Sequence, residues 1–503
     1  MSNLAVLPIV IPMATALACL AASKRPGAQR ALSVLGASAL LGATATLFAR
    51  VLETGPVTLQ ASGWPAPWGI TLAADMFGAS LALAASAVFL LCVVASLAGV
   101  DRRRQAYGFH PLMHTLMMGV GGAFITGDLF NLYVWFEVML MSSFVLVALG
   151  GERKQLEGAM KYVTLNLISS GLFLAGAGLL YGEVGTLNMA DLSRKLADPQ
   201  SAGLVAPAAG LFLVAFGLKA GVFPLFFWLP ASYHTPPAVV SALFGGLLTK
   251  VGVFALARAM YVIFPAEVGL RGEALGWIAG LTMIVGLLGA IAQTNVRRML
   301  SFALIGHIGY MVMGLAVGGE LALAGMAFYA AQHMLVMTGL FLCVGLISMD
   351  RGTEDTRELG GLWSERPALA MVFLFLSAAL AGVPPTPGFI GKLALVQGAV
   401  EHGRWGLLAT LLTASVMTLY VVFRLWLEVF ARPRPEEDSA AVEALPRPLP
   451  GSMWWPAVGA AALTAALALG STWIFPLAER AAVDLLLPAA PGGYIDSVFE
   501  VAR

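Results

Sequence analysis

Glu137, Lys219, Lys250 and Lys392 stand near the middle of long apolar stretches of this 503-residue chain, and His333 is a fifth residue of the same kind. An ionised side chain at the centre of a membrane helix costs roughly 2.5–3.5 kcal/mol on insertion scales, so it persists where it is paired, hydrated or used. One carboxylate and three amines at that depth point to proton or cation handling rather than to binding a neutral substrate, because neighbours can switch their charge states.

Composition requires a membrane setting for these residues. Hydrophobic residues make up 59% of the chain and charged ones 11%, with a mean hydropathy of +0.84, values outside the range of soluble domains. The net charge of +1 argues against nucleic acid as a partner, since phosphate binding needs a concentrated basic surface. Cys19, Cys92 and Cys343 all lie in apolar runs, so we expect small core residues and neither a disulfide nor a metal site. No cofactor is expected, and transport rather than chemical catalysis is the reading.

The elements that must position the charged residues are helices, because each apolar run is about 20 residues long and barrel strands need only about 10. Runs occur near 3–22, 31–50, 71–99, 109–127, 129–150, 158–181, 203–229, 237–263, 274–293, 298–318, 321–348, 367–400, 404–430 and 453–475, about fourteen spans. The first has its positive charges after it, at Lys24, Arg25 and Arg30, the reverse of a secretory signal. Those residues, Arg102 to Arg104, Arg153 with Lys154, and Arg297 with Arg298 all fall on one side. The positive-inside rule makes that side the cytoplasm of a bacterial cell membrane and puts both termini outside.

Two spans depart from a regular helix, and each carries a lysine. Lys219 precedes Ala220-Gly221-Val222-Phe223-Pro224, and Lys392 follows Gly382-Val383-Pro384-Pro385-Thr386-Pro387. Proline removes a backbone donor, and irregular backbone at membrane depth is tolerated only inside protein or beside water. Interrupted spans in two halves of a chain point to a transport path, and the interval from Lys219 to Lys392 fits a repeat of five spans.

These strings carry a family resemblance. Asp128-Leu129-Phe130-Asn131-Leu132-Tyr133-Val134-Trp135-Phe136-Glu137 is similar to the fifth span of the antiporter-like subunits shared by Mrp cation/proton antiporters and respiratory complex I, and Gly217 to Lys250, with His234-Thr235-Pro236-Pro237, resembles that family's most distinctive signature. The resemblance covers nearly the whole chain and favours the Mrp branch. It implies an all-α polytopic fold with two inverted five-helix repeats: helices 1–3 in 1–105, repeats in 106–265 and 266–432, and a last helix and tail in 433–503. It implies that Glu137 and Lys219 form an ion pair, with Lys250, His333 and Lys392 continuing a proton-transfer line. A unit pair at 4 Å is worth about 4 kcal/mol at an effective dielectric of 20, enough to gate capture and release of a proton. It also implies subunit partners of the A, B, C, E, F and G types, and exchange of protons for sodium or another monovalent cation. The alternatives are a proton-pumping arm of a complex I-like redox assembly, where lysine at 392 is also found, and a passive scaffold. The chain ends soon after the fourteenth span, so the long lateral helix of the largest complex I antiporter-like subunit is not expected.

Competing readings accompany each residue. Glu137 and Lys219 as a purely structural pair is disfavoured, since apolar replacements pack as well. Lys250 snorkels if its span is displaced by a turn, Lys392 sits off centre if the proline break shifts its register, and His333 is otherwise a neutral histidine hydrogen-bonded between helices. His234 is either a proton uptake point or a turn cap. Arg424 and Glu428 should pair with each other, Leu187 to Leu196 reads as a short helix at the outer surface, and Trp64, Trp68, Trp454, Trp455 and Trp473 as interfacial anchors, with Asp75 at that interface.

Overall fold

Each apolar stretch folds as a helix, and several open on a short polar side chain that accepts a first-turn N–H, or on a proline that removes one such donor. The computed structural model describes residues 2–197, 205–265, 269–434 and 448–500. The N-terminal helices are α1 (Leu7–Ala21), α2 (Pro26–Thr54), α3 (Met76–Gly99), α4 (Arg102–Ala106), α5 (Phe109–Ile125), α6 (Leu129–Ala148), α7 (Arg153–Val184) and α8 (Met189–Lys195). Next come α9 (Val205–Ala220), α10 (Trp228–Ser232), α11 (Ala238–Ala257), α12 (Leu275–Ile291), α13 (Val296–Val317) and α14 (Gly319–Arg351). The last are α15 (Leu362–Glu365), α16 (Pro367–Ala381), α17 (Pro387–Glu401), α18 (Trp405–Trp426), α19 (Gly451–Leu469), α20 (Ser471–Leu486) and α21 (Tyr494–Glu500). Asp75, Asp101, Asp128, Asn188 and Asn295 cap α3, α4, α6, α8 and α13 by accepting backbone N–H bonds in the first turn, each worth about 1 kcal/mol.

Eleven described helices are long and apolar enough to cross a membrane. The other three expected spans fall short for visible reasons: α5 has 17 residues, and the seventh and twelfth spans are each broken in two, as α9 with α10 and α16 with α17. The expected start of span seven at 203 and the repeat boundary at 266 lie outside the described residues. Two ends differ from expectation. Residues 71–74 open no helix but form strand β2 (Thr71–Ala74), antiparallel to β1 (Val57–Gln60) with Val57 opposite Ala74. Span fourteen does not stop at 475, because α19 passes at Gly470 into α20, and both pack on α3 and α14.

The centre consists of α11, α13 and α14, apolar and buried on nearly all sides, whereas α18 and α19 bury only a minority of their residues. A helix apolar all round belongs inside a bundle. These three carry Lys250, His307 and His333.

Hydrogen bonds tie the basic loops into one face. Arg30 donates to Gln105, Arg104 pairs with Glu152 at 2.6 Å, and Arg297 donates to the Pro236 carbonyl at 2.6 Å and pairs with Glu354. The opposite face carries the β1–β2 hairpin, whose Trp64 and Trp68 are exposed, together with both the first and the last described helical turns. On that face the sequence-based placing of Asp75 is overturned. Asp75 is fully buried, and its Oδ1 accepts from Arg258 Nη2 at 2.6 Å. Arg258, on the π-helical continuation of α11, also stacks on Phe254 and Tyr494, and Asp484 of α20 accepts from the Met76 N–H. The C-terminal helices fold over the start of α3, a long-range contact that local hydropathy does not report. The helix α8 does form, but its first turn is buried rather than lying on the surface.

Candidate functional site

Lys219 ends α9 one residue before the first break. Gly221 adopts φ 78°, and its N–H and that of Val222 both return to the Gly217 carbonyl, closing the half-helix with a left-handed cap. The break therefore follows from glycine as well as proline, and it leaves the lysine ammonium pointing into the bundle. Lys219 is buried, with Nζ 5.4 Å from the Phe136 ring.

Glu137 on α6 reaches the same place, but the two do not meet as the expected ion pair. Ser170 of α7 lies between them: Lys219 Nζ donates to Ser170 Oγ at 3.3 Å, and that hydroxyl donates to Glu137 Oε1 through a short hydrogen bond. α7 is wedged between α6 and α9, so the small residue on its inner face becomes the bridge. A hydroxyl that accepts from one group while donating to the next can pass a proton by exchanging its own. The reading of the sequence missed Ser170; its signal was a pair of serines, Ser169-Ser170, inside an apolar run. Glu137 is half-buried on the flank where Phe130 and Val134 are exposed, so its carboxylate stands at the side of the subunit.

Beside Lys219, a cavity of about 10 Å³ is lined by Tyr162, Asn166, Trp228 and Leu248, about the room needed by one water molecule. Lys250 lies on the next helix. A Cβ at Gly252 would come within 2.4 Å of Ala220 N, so only glycine lets α11 cross the backbone of α9 at this point. Lys250 is 1% exposed and its Nζ donates to the Gly245 carbonyl at 2.5 Å. It does not snorkel.

Two histidines follow. His333 on α14 is fully buried, and neither ring nitrogen has a hydrogen-bond partner among the described residues, which overturns the reading of a histidine bonded between helices. Its ring lies 5.3 Å from that of His307 on α13, whose Nδ1 meets Tyr329 Oη at 2.5 Å. His307 was missed in sequence; it sits in the apolar string Leu304-Ile305-Gly306-His307-Ile308-Gly309-Tyr310, a histidine at membrane depth like His333. His307 Nε2, Thr249 Oγ1 and both amide atoms of Gln332 are also unpartnered among the described residues. Buried polar atoms normally have partners, so this concentration marks a place suited to water or a moving proton.

Lys392 closes the line. It is 5% exposed, with Nζ 4.6 Å from the Tyr310 ring and donating to the Ala381 carbonyl at 2.8 Å, at the negative end of the half-helix α16. Gly382 has φ 80° and its N–H and that of Val383 both return to the Ala378 carbonyl. The two breaks thus share the string Ala-Gly-Val-x-Pro, the same capping geometry and the left-handed glycine. Leu380 occupies the position of Lys219 in that register, so the lysines lie on opposite sides of their breaks in sequence, and Lys392 reaches back to bring its ammonium to the second break.

His234 lies apart, on the face of the basic loops, where its Nδ1 bonds the Pro230 carbonyl at 2.8 Å as a turn cap does. Burial, with the Arg298, Arg297 and Lys154 charges, holds its imidazole below the ordinary value, and the Pro230 bond opposes this. Arg424 pairs with Glu428 at 2.8 Å as expected. No group of three or more metal-ligating side chains exists among the described residues.

The profile of the family described as NADH:quinone oxidoreductase/Mrp antiporter, transmembrane, matches residues 126–418. The chain is 38% identical to the D-type subunit of the Na(+)/H(+) antiporter of Alkalihalophilus pseudofirmus over 99% of its own length and all of that protein. It is similar to a chain of the Mrp complex from Dietzia sp., with a TM-score of 0.91, 28% identity, and coverage of 99% of this chain and 100% of that one. It is also similar to a chain of the membrane-bound sulfane sulfur reductase, an archaeal respiratory membrane complex, with a TM-score of 0.88, 25% identity and full coverage of both. With more than half its length matched by that profile and 38% identity to a full-length relative, this chain, whose Glu–Ser–Lys bridge leads inward to buried amines and imidazoles, belongs to the NADH:quinone oxidoreductase/Mrp antiporter transmembrane family.

Proposed function

We propose that this chain is the proton-translocating subunit of a multisubunit antiporter that exchanges sodium or another monovalent cation for protons, working with subunits of the A, B, C, E, F and G types. The observation that carries the reading is the Glu137–Ser170–Lys219 bridge at the head of buried Lys250, His333, His307 and Lys392. A cation arriving near Glu137 from the flank weakens the hold of that carboxylate on Lys219, and the lysine then releases its proton toward Lys250. His333, His307 and Tyr329 pass charge between Lys250 and Lys392 in either direction, since an imidazole carries a donor on one nitrogen and an acceptor on the other. The chain's own residues do this without bond chemistry, so it acts as a transporter subunit and not as an enzyme. The basic face is assigned to the cytoplasm of a bacterial plasma membrane and both termini to the outside. His234 is assigned as a proton uptake point on that cytoplasmic face, and 106–265 and 266–432 as repeats built around the two breaks.

The test is sodium-triggered collapse of a pH gradient in inverted vesicles from an antiporter-deficient host that expresses the full co-encoded subunit set. Wild type should collapse the gradient, and Lys219→Ala and Glu137→Ala should not, with the complex assembled in all three. Normal exchange in either variant overturns the assignment. The likeness to a respiratory complex chain supplies the second reading to test, a redox-driven proton-pumping arm, which the greater identity to an antiporter subunit does not favour. It predicts no sodium response in any variant and flavin or iron–sulfur absorbance in the purified assembly.

A further inference from the structure

A lateral cleft of about 430 Å³ opens between α2, α3, α14, α19 and α20, away from the lysine line. Its lining is almost wholly apolar: Ser80 is the one polar side chain among residues such as Phe48, Ala84, Leu90, Phe328 and Leu477. Along α3 it runs from Phe77 to Leu91, about 21 Å at 1.5 Å per residue, which exceeds half of a hydrocarbon core about 30 Å thick. Helices in a bundle have no hydrophobic drive to close such a gap, because lipid tails solvate it as well as side chains do. Its long axis follows a membrane-spanning helix, the direction an acyl chain takes in a leaflet.

The end nearest Phe77 is polar in a specific way. There Arg480 of α20 is exposed and bridges to α2 by donating Nη2 to the Leu52 carbonyl at 3.2 Å. A guanidinium has five N–H donors, and this is the one hydrogen bond Arg480 makes among the described residues. Arg50 and Glu53, paired at 3.6 Å, stand on the same last turns of α2. A cation with spare donors at the interfacial end of an acyl-sized apolar cleft matches a phosphate joined to a hydrocarbon tail.

We propose that this cleft is a phospholipid site: one acyl chain lies between α3, α14 and α20, and the phosphate is held by Arg480, in the leaflet on the face of the chain termini. The tail packs on Phe328 and Ala331, while Tyr329 and His333 of the same helix turn inward, so the lipid forms the outer wall behind the histidine. This does not depend on the transport reading.

The test places the photoreactive p-benzoylphenylalanine at Leu477, in the cleft, or at Leu412, which is 52% exposed on α18 away from it, in the assembled complex purified and washed in detergent. Illumination followed by mass spectrometry should find an adduct of phospholipid mass at Leu477 and none at Leu412. Arg480→Glu should lower the yield at Leu477 about tenfold, the effect of one charge-assisted hydrogen bond. An adduct to another subunit, no lipid adduct at Leu477, equal lipid adducts at both positions, or a yield unchanged by Arg480→Glu overturns the proposal.

Discussion

Replacing Ser170 by alanine separates a bridged Glu137–Lys219 pair from a direct one. The hydroxyl makes two hydrogen bonds to charged groups, one at 3.3 Å from Lys219 Nζ and a shorter one to Glu137. A hydrogen bond to a charged group contributes about 1.5–3 kcal/mol. If proton transfer between the two depends on one such bond, Ser170→Ala slows exchange by about tenfold to a hundredfold, at 1.36 kcal/mol per decade. Alanine fills the site without strain, so the subunit should still assemble. The assay is the initial rate of sodium-triggered gradient collapse in inverted vesicles, normalised to assembled complex. Ser170→Thr, which keeps a hydroxyl, should recover most of the rate. Ser169→Ala is the matched control, because that neighbouring hydroxyl donates to the Ala215 carbonyl instead, and it should leave exchange within about twofold. An assembled Ser170→Ala complex that exchanges at the wild-type rate would refute the bridge, since Glu137 and Lys219 would then communicate without it.

Three further outcomes are expected. His307→Phe keeps an aromatic ring but removes both nitrogens, so it should lower exchange at least about tenfold without loss of assembly; an unchanged rate removes His307 from the line. Gly382→Ala puts a Cβ at φ 80° and 2.9 Å from Lys392 Cδ, so it should displace that lysine and reduce exchange, whereas the same substitution at the open, right-handed Gly406 should be silent; equal rates for the two variants would show that the break tolerates the side chain. Arg258→Met leaves buried Asp75 unpaired, a loss of about 3–5 kcal/mol, and should cut the amount of folded subunit in the membrane. Adding Asp75→Asn should restore much of it, and failure of that rescue would show that Arg258 acts through its stacking on Phe254 and Tyr494 instead.

What sequence alone determined here follows from the cost of charge in hydrocarbon. Because Glu137, Lys219, Lys250, His333 and Lys392 are expensive at membrane depth, they stand out from a run of leucine and alanine without any knowledge of neighbours, and the structure buries all of them at least partly. The two breaks were legible for a related reason, since glycine and proline act on their own backbone. Span lengths, the common side of the basic loops and the Arg424–Glu428 pair are equally local. Tertiary structure alone decided which inexpensive residues join the site. Ser170 is polar but affordable in a helix, so only the packing of α7 between α6 and α9 shows what it touches, whereas His307 is as costly at that depth as His333 and needed the packing of α13 beside α14 only to show its neighbours. The same holds for Asp75, whose partner Arg258 is 183 residues away. A pair that distant leaves no periodic trace in the chain, and folding the C-terminal helices over α3 is what turns an apparent interfacial acid into a buried one.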